Sequence, residues 1–114
     1  MLEQLKSDID KDIHANAVHV YMKGTPEAPQ CGFSKAVCDV FRALEIPFGF
    51  TNVLENLDGY RSALGEVTQW PTIPQVFVDG EFVGGCDILI EMYHSGELQQ
   101  LLGTQAAAES PSAE

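Results

Sequence analysis

The stretch Ala17-Val18-His19-Val20-Tyr21-Met22-Lys23-Gly24-Thr25-Pro26-Glu27-Ala28-Pro29-Gln30-Cys31-Gly32-Phe33-Ser34 decides the fold. Its first six residues form a β-branched, apolar run that reads as a strand. At its far end a helical pattern opens, Ser34-Lys35-Ala36-Val37-Cys38-Asp39-Val40-Phe41. Between them lies a proline- and glycine-containing loop with one cysteine at the helix entrance. A helix N-terminus carries unpaired N–H groups and partial positive charge, so a thiol there is biased toward thiolate. Thiolate is the form that attacks disulfides and binds metals. The segment reads as a primed sulfur site.

Downstream, Val37, Val40, Phe41 and Leu44 keep helical spacing, and the helix must stop before Pro47. A second β-type run, Phe48-Gly49-Phe50-Thr51-Asn52-Val53, follows. Strand–helix–strand at this spacing predicts two parallel strands joined by a right-handed crossover. Upstream, Leu2, Leu5, Ile9 and Ile13 mark an amphipathic helix over 2–14. Leu57, Tyr60, Leu64 and Val67 predict a helix over 57–69, weakened by Gly59 and Gly65. Trp70-Pro71-Thr72-Ile73-Pro74 cannot be regular structure.

Val76-Phe77-Val78 and Phe82-Val83 flank Asp79-Gly80, a strong hairpin signal, and Gly84-Gly85 end the second arm. Asp87 is the expected cap of a helix carrying Ile88, Leu89, Met92 and Tyr93, which Gly96 breaks. Leu98, Leu101 and Leu102 add a last turn or two. The order α-β-α-β-α-β-β-α predicts an α/β fold, a four-stranded mixed sheet flanked by helices on both faces. That is the thioredoxin-fold architecture. Residues 1–104 form one domain; 105–114 have nothing to pack and are expected to be disordered.

The 114-residue chain is long enough for a single core without staples. Its 17 acidic residues against 6 basic ones give a net charge of −11, which repels nucleic-acid backbones and anionic membrane surfaces. No apolar run approaches the roughly 20 residues of a membrane span. The mixed, acidic N-terminus lacks signal-peptide and transit-peptide character, which predicts a cytoplasmic protein; the alternative is a mitochondrial matrix protein whose leader has been removed. Three cysteines, Cys31, Cys38 and Cys86, show no framework spacing and point to a reducing compartment. Without Cys-x-x-Cys or a His/Cys cluster, a self-contained zinc site is not expected. Seven helical residues separate Cys31 from Cys38, about 10 Å of rise, beyond disulfide reach. Cys38 therefore reads as core. His14, His19 and His94 share no ligand spacing.

These pieces resemble one family, the monothiol glutaredoxins of the Cys-Gly-Phe-Ser type. The matching motifs are Lys23-Gly24-Thr25-Pro26, Pro29-Gln30-Cys31-Gly32-Phe33-Ser34, Trp70-Pro71-Thr72-Ile73-Pro74-Gln75 and Gly80-Glu81-Phe82-Val83-Gly84-Gly85-Cys86-Asp87. The likeness covers roughly residues 1–103. It implies glutathione binding, and a 2Fe–2S cluster held between two protomers with Cys31 as each chain's metal ligand. The protein would then be a homodimer when cluster-bound, a monomer when apo, passing clusters to apo-proteins, often with BolA-like partners. A 2Fe–2S cluster wants four thiolates; two chains and two glutathione thiols supply them. The alternative is a glutathione-dependent thiol–disulfide oxidoreductase working through a Cys31 mixed disulfide.

The same resemblance assigns Lys23 and Arg61 to the glutathione glycine carboxylate. It makes Ile73-Pro74 a cis step whose Ile73 backbone pairs with the peptide-like ligand. The Cys86 and Asp87 N–H groups, at a helix N-terminus, take the γ-glutamyl carboxylate, and the Asp87 side chain takes the amino group. Ser34 stands where a dithiol protein has its second cysteine, so no internal disulfide closes there. Whether Cys86 resolves an oxidised Cys31 stays open.

Overall fold

The computed structural model describes the backbone of residues 2–109 and the side-chain surroundings of residues 2–103. Helix α1 (Leu2–Ala15) leads into strand β1 (Val18–Met22). A two-residue pair, β2 (Gly24–Thr25) and β3 (Ala28–Pro29), precedes α2 (Gly32–Ala43) and β4 (Gly49–Asn52). A 3-10 turn over Val53–Asn56 opens α3 (Leu57–Thr68). Strands β5 (Gln75–Val78) and β6 (Glu81–Gly84), then α4 (Cys86–Ser95) and α5 (Glu97–Glu109), complete the chain.

The main sheet has the order β4-β1-β5-β6. β1 pairs parallel with β4, His19 opposite Gly49 through Met22 opposite Asn52. It pairs antiparallel with β5, and β5 with β6. The predicted mixed sheet, with the first two strands of the βαβ unit parallel, is therefore the observed one. The hairpin turn falls on Asp79-Gly80, both at positive φ, 53° and 82°, as an Asp-Gly turn demands.

β1 shows how the sheet divides the core. Val18, Val20 and Met22 join Val37, Phe41, Leu89, Leu98 and Leu102 beneath α2, α4 and α5. Tyr21 joins Ile9, Ile13, Leu64 and Phe77 beneath α1 and α3. Alternate residues of a strand face opposite sides, so this central strand, apolar but for His19, is buried on both faces. Among the histidines, His19 is buried at 3% exposure. Its ring nitrogens meet Asn16 Nδ2 at 3.1 Å and Thr51 Oγ1 at 2.8 Å. It ties the residue after α1 to Thr51 of β4.

Three boundaries differ from the sequence reading. α2 starts at Gly32 with Cys31 as its N-cap, two residues before the expected Ser34. Asp87 is not the cap of α4: Gly85, in extended backbone, holds that place, and Asp87 lies in the first turn. The chain turns at the glycines rather than at the carboxylate, because the Gly85 carbonyl already accepts the first helical bond, from the Leu89 N–H at 3.0 Å. α5 continues through Gly103 to Glu109, longer than a turn or two; the rest of the expected disordered tail, 110–114, lies outside the described residues.

Candidate functional site

Cys31 occupies the mouth of α2, with extended backbone (φ −155°, ψ 136°) and a partly exposed side chain. Burial by itself pushes its thiol up. The Ser34 and Phe33 N–H groups, the Lys23 ammonium and the Ser34 hydroxyl outweigh it and hold the thiol below its ordinary range. All four donors point positive charge or hydrogen at the sulfur, which is what a thiolate needs.

Ser34 is fully buried and serves twice. Its Oγ accepts the Lys23 N–H at 3.1 Å while its hydroxyl stabilises the sulfur. The Lys23 carbonyl accepts the Gln30 N–H at 2.9 Å, closing the base of the β2–β3 pair. Lys23 is thereby held beside Cys31 through its own N–H and carbonyl, one bonded to the Ser34 side chain and the other to the Gln30 N–H.

A cleft of about 240 Å³ is lined by Phe33, Trp70, Ile73, Pro74, Cys86 and Asp87 among others; Phe33 joins it to the Cys31 segment, and Cys31 and Lys23 are not in its lining. Phe33, in the first turn of α2 and in the cleft lining, is 61% exposed. The Ile73–Pro74 bond is cis, as expected. The opposite wall is the start of α4, where Cys86 is 8% exposed. Burial first, then the Asp87 and Cys31 charges, push the Cys86 thiol up. Gly85 permits close packing here: a Cβ on it would stand 3.2 Å from the Pro74 carbonyl and 3.3 Å from Trp70 Nε1. That indole nitrogen is buried with no hydrogen-bond partner among the described residues.

The structure brings Ile73, Cys86 and Asp87 together in the cleft wall and sets Lys23 beside Cys31. Arg61 stands apart, exposed on α3 and outside the cleft lining. Cys38 is fully buried and its Sγ–H donates to Met22 Sδ at 3.6 Å, the core role expected of it.

The sequence reading assigned no role to Gln75. Its side chain is 1% exposed, its Nε2 donates to the Trp70 and Thr72 carbonyls at 3.0 and 3.1 Å, and its Oε1 accepts from Thr68 Oγ1 at 3.1 Å. These bonds hold the 70–74 loop, whose prolines leave it no sheet partners. The available signal was a glutamine heading an otherwise apolar strand.

The arrangement can bind a small, peptide-sized molecule and present one activated sulfur to it. Among the described residues no group of three or more His, Cys, Asp and Glu side chains is placed to hold a metal ion. No helix among them is long and apolar enough to cross a membrane.

The glutaredoxin family model matches residues 18–83. The chain is 48% identical over 108 residues to an uncharacterized monothiol glutaredoxin (ycf64-like) of Synechocystis sp., covering 95% of this chain and all of that protein. It is 46% identical over 99 residues to the chloroplastic monothiol glutaredoxin-S7 of Oryza sativa subsp. japonica, covering 87% of this chain but 58% of that protein. A buckwheat glutaredoxin solved as a complex with glutathione superposes with a TM-score of 0.80 at 26% identity, over 90% of this chain and 91% of that one. With a lone activated cysteine, a serine in the second thiol's place and relatives of this kind across its length, the chain belongs to the monothiol glutaredoxins.

Proposed function

We propose that this glutaredoxin binds glutathione in the cleft and carries a 2Fe–2S cluster between two protomers, delivering it to apo-proteins. The observation that carries this reading is the pairing of one accessible, acidified thiol with a peptide-sized cleft, and of a buried serine with the place of a second thiol. The donor set fits: an iron–sulfur cluster takes thiolates, Cys31 supplies one per chain, and glutathione supplies the balance. The cluster is cargo, and its retention depends on the chain's grip on the tripeptide.

In this reading Lys23 and Arg61 hold the glycine carboxylate, the guanidinium reaching from α3 toward the ligand. Ile73 pairs through its backbone with the peptide part. The Cys86 and Asp87 N–H groups, in the first turn of α4, take the γ-glutamyl carboxylate, and the Asp87 carboxylate takes the amino group. A BolA-like protein is the proposed partner in transfer, and the cytoplasm the proposed compartment.

A second reading is favoured by the exposure of Cys31 itself. Its thiolate attacks the glutathione sulfur of a mixed disulfide, forming a Cys31–glutathione disulfide and releasing the client thiolate. A second glutathione thiolate then releases oxidised glutathione and restores Cys31. Anaerobic reconstitution with iron, sulfide and glutathione separates the two. A coloured dimer whose visible bands vanish in Cys31→Ser supports the carrier. A colourless monomer that rapidly reduces glutathione mixed disulfides sinks it and leaves the enzyme.

A further inference from the structure

We infer that Asn52, at the end of β4, is a positioning residue for the sulfur site, acting through the Gly24 N–H on where Lys23 stands. β1 ends at Met22, so the peptide groups around Lys23 leave the main sheet. Side chains and one loop bond take the ladder's place. The Lys23 N–H goes to Ser34 Oγ and the Lys23 carbonyl to the Gln30 N–H, both within the Cys31 loop and helix. The Gly24 N–H goes instead to Asn52 Oδ1 at 2.9 Å and ties that loop to the sheet.

The parallel register puts Asn52 opposite Met22, so its carboxamide needs to span only one strand spacing. The same oxygen accepts the Leu54 N–H at 3.0 Å, opening the 3-10 turn. Gly24 cannot relax easily. It is buried, has φ +91°, and a Cβ on it would stand 2.6 Å from the Ala28 carbonyl and 2.7 Å from the Gln30 nitrogen. A buried N–H that loses its acceptor must move to find another, and the residue covalently joined to it is Lys23. The ammonium that favours the Cys31 thiolate, and in the proposed function meets a ligand carboxylate, is therefore aimed from the neighbouring strand.

The effect on ligand binding rests on the proposed function; the effect on loop position does not. The test compares Asn52→Ala, Asn52→Ser and Asn52→Asp in the full chain by amide NMR, amide exchange and titration with glutathione. In the Ala and Ser variants the Gly24 amide should exchange about tenfold faster, and the Lys23, Cys31 and Ser34 resonances should move with it. The glutathione dissociation constant should rise about three- to tenfold. Asn52→Asp, which keeps the acceptor oxygen, should return all three readouts to within about twofold of the parent. The Ser hydroxyl still caps Leu54 but falls short of Gly24, so Asn52→Ser carries the test if Asn52→Ala does not fold.

Changes confined to Gly24 and Leu54 would overturn the inference, as would an Asp variant no better than Ala. An unprotected Gly24 amide in the parent chain would overturn it outright. A parent chain that binds no glutathione sinks the proposed function, while the Lys23, Cys31 and Ser34 resonances still decide the positioning role.

Discussion

Cys31 and Cys86 each stand at the mouth of a helix, α2 and α4, yet their surroundings push the two thiols in opposite directions. Both enjoy whatever field a helix N-terminus supplies. The difference lies in three local facts. Cys31 is the cap itself, partly exposed, with N–H groups of the next turn turned onto its sulfur. Cys86 is the first helical residue and lies in the wall of the cleft. Lys23 faces the one thiol and Asp87 adjoins the other. A helix mouth makes a reactive cysteine only when exposure and neighbouring charge agree with the dipole.

The largest test of that contrast is removal of each sulfur. Cys31→Ser should abolish both the visible cluster bands and glutathione adduct formation, whereas Cys86→Ser should keep most of each; absorbance and intact mass read the two. Next comes the cation. Lys23→Met should slow alkylation of Cys31 at neutral pH by about three- to tenfold, on the scale of up to one pKa unit, and leave Cys86 unchanged. Rates measured by peptide-resolved mass spectrometry check this, and equal slowing at both cysteines would break the contrast.

The carboxylate gives a smaller effect of opposite sign. Asp87→Asn should speed alkylation of Cys86 by about two- to threefold, with Cys31 little altered. Smallest is the linkage to folding. A thiol held below its unfolded value contributes stability that is present above the unfolded pKa and lost as pH falls through the folded one. Unfolding midpoints followed from pH 9 to pH 6 should therefore decline slightly more in the parent chain than in Cys31→Ser. Cys86→Ser keeps Cys31 and should decline at least as steeply as the parent, since burial raises the Cys86 thiol and its own contribution is present at low pH and lost as pH rises.

Much of this was legible in the sequence because it rests on periodicity. β1 and β5 are largely apolar and buried, and α2 keeps its Val37, Val40, Phe41 spacing, so the parallel strand pair and the mixed sheet followed. Asp79-Gly80 fixed its own turn. The β2–β3 pair escaped notice because two-residue strands carrying Gly24 and Pro29 leave no alternation to detect. They are held instead by the Lys23–Gln30 and Thr25–Ala28 bonds.

Cys31, Lys23, Arg61, Ile73, Cys86 and Asp87 were named through motif resemblance; the fold gathers Ile73, Cys86 and Asp87 in the cleft lining and sets Lys23 beside Cys31, while Arg61 lies outside that lining. Gln75 and Asn52 were not. Each acts on a backbone group several residues away, and nothing in a lone Gln or Asn announces which peptide it will hold. The cap of α4 was misplaced for a related reason: Asp87 has the right chemistry for a cap, but the Gly84-Gly85 turn starts the helix before it.

The Gln75 carboxamide has a consequence for recognition kinetics. It fastens the 70–74 segment from within at both the Trp70 and Thr72 carbonyls, so that wall of the cleft exists before any guest arrives. A receptor whose lining is already fixed loses little conformational freedom on capture. Association should then run without a slow ordering phase, and cutting those two bonds in Gln75→Leu should show up as a lag in the encounter rather than as a change in which molecules are accepted.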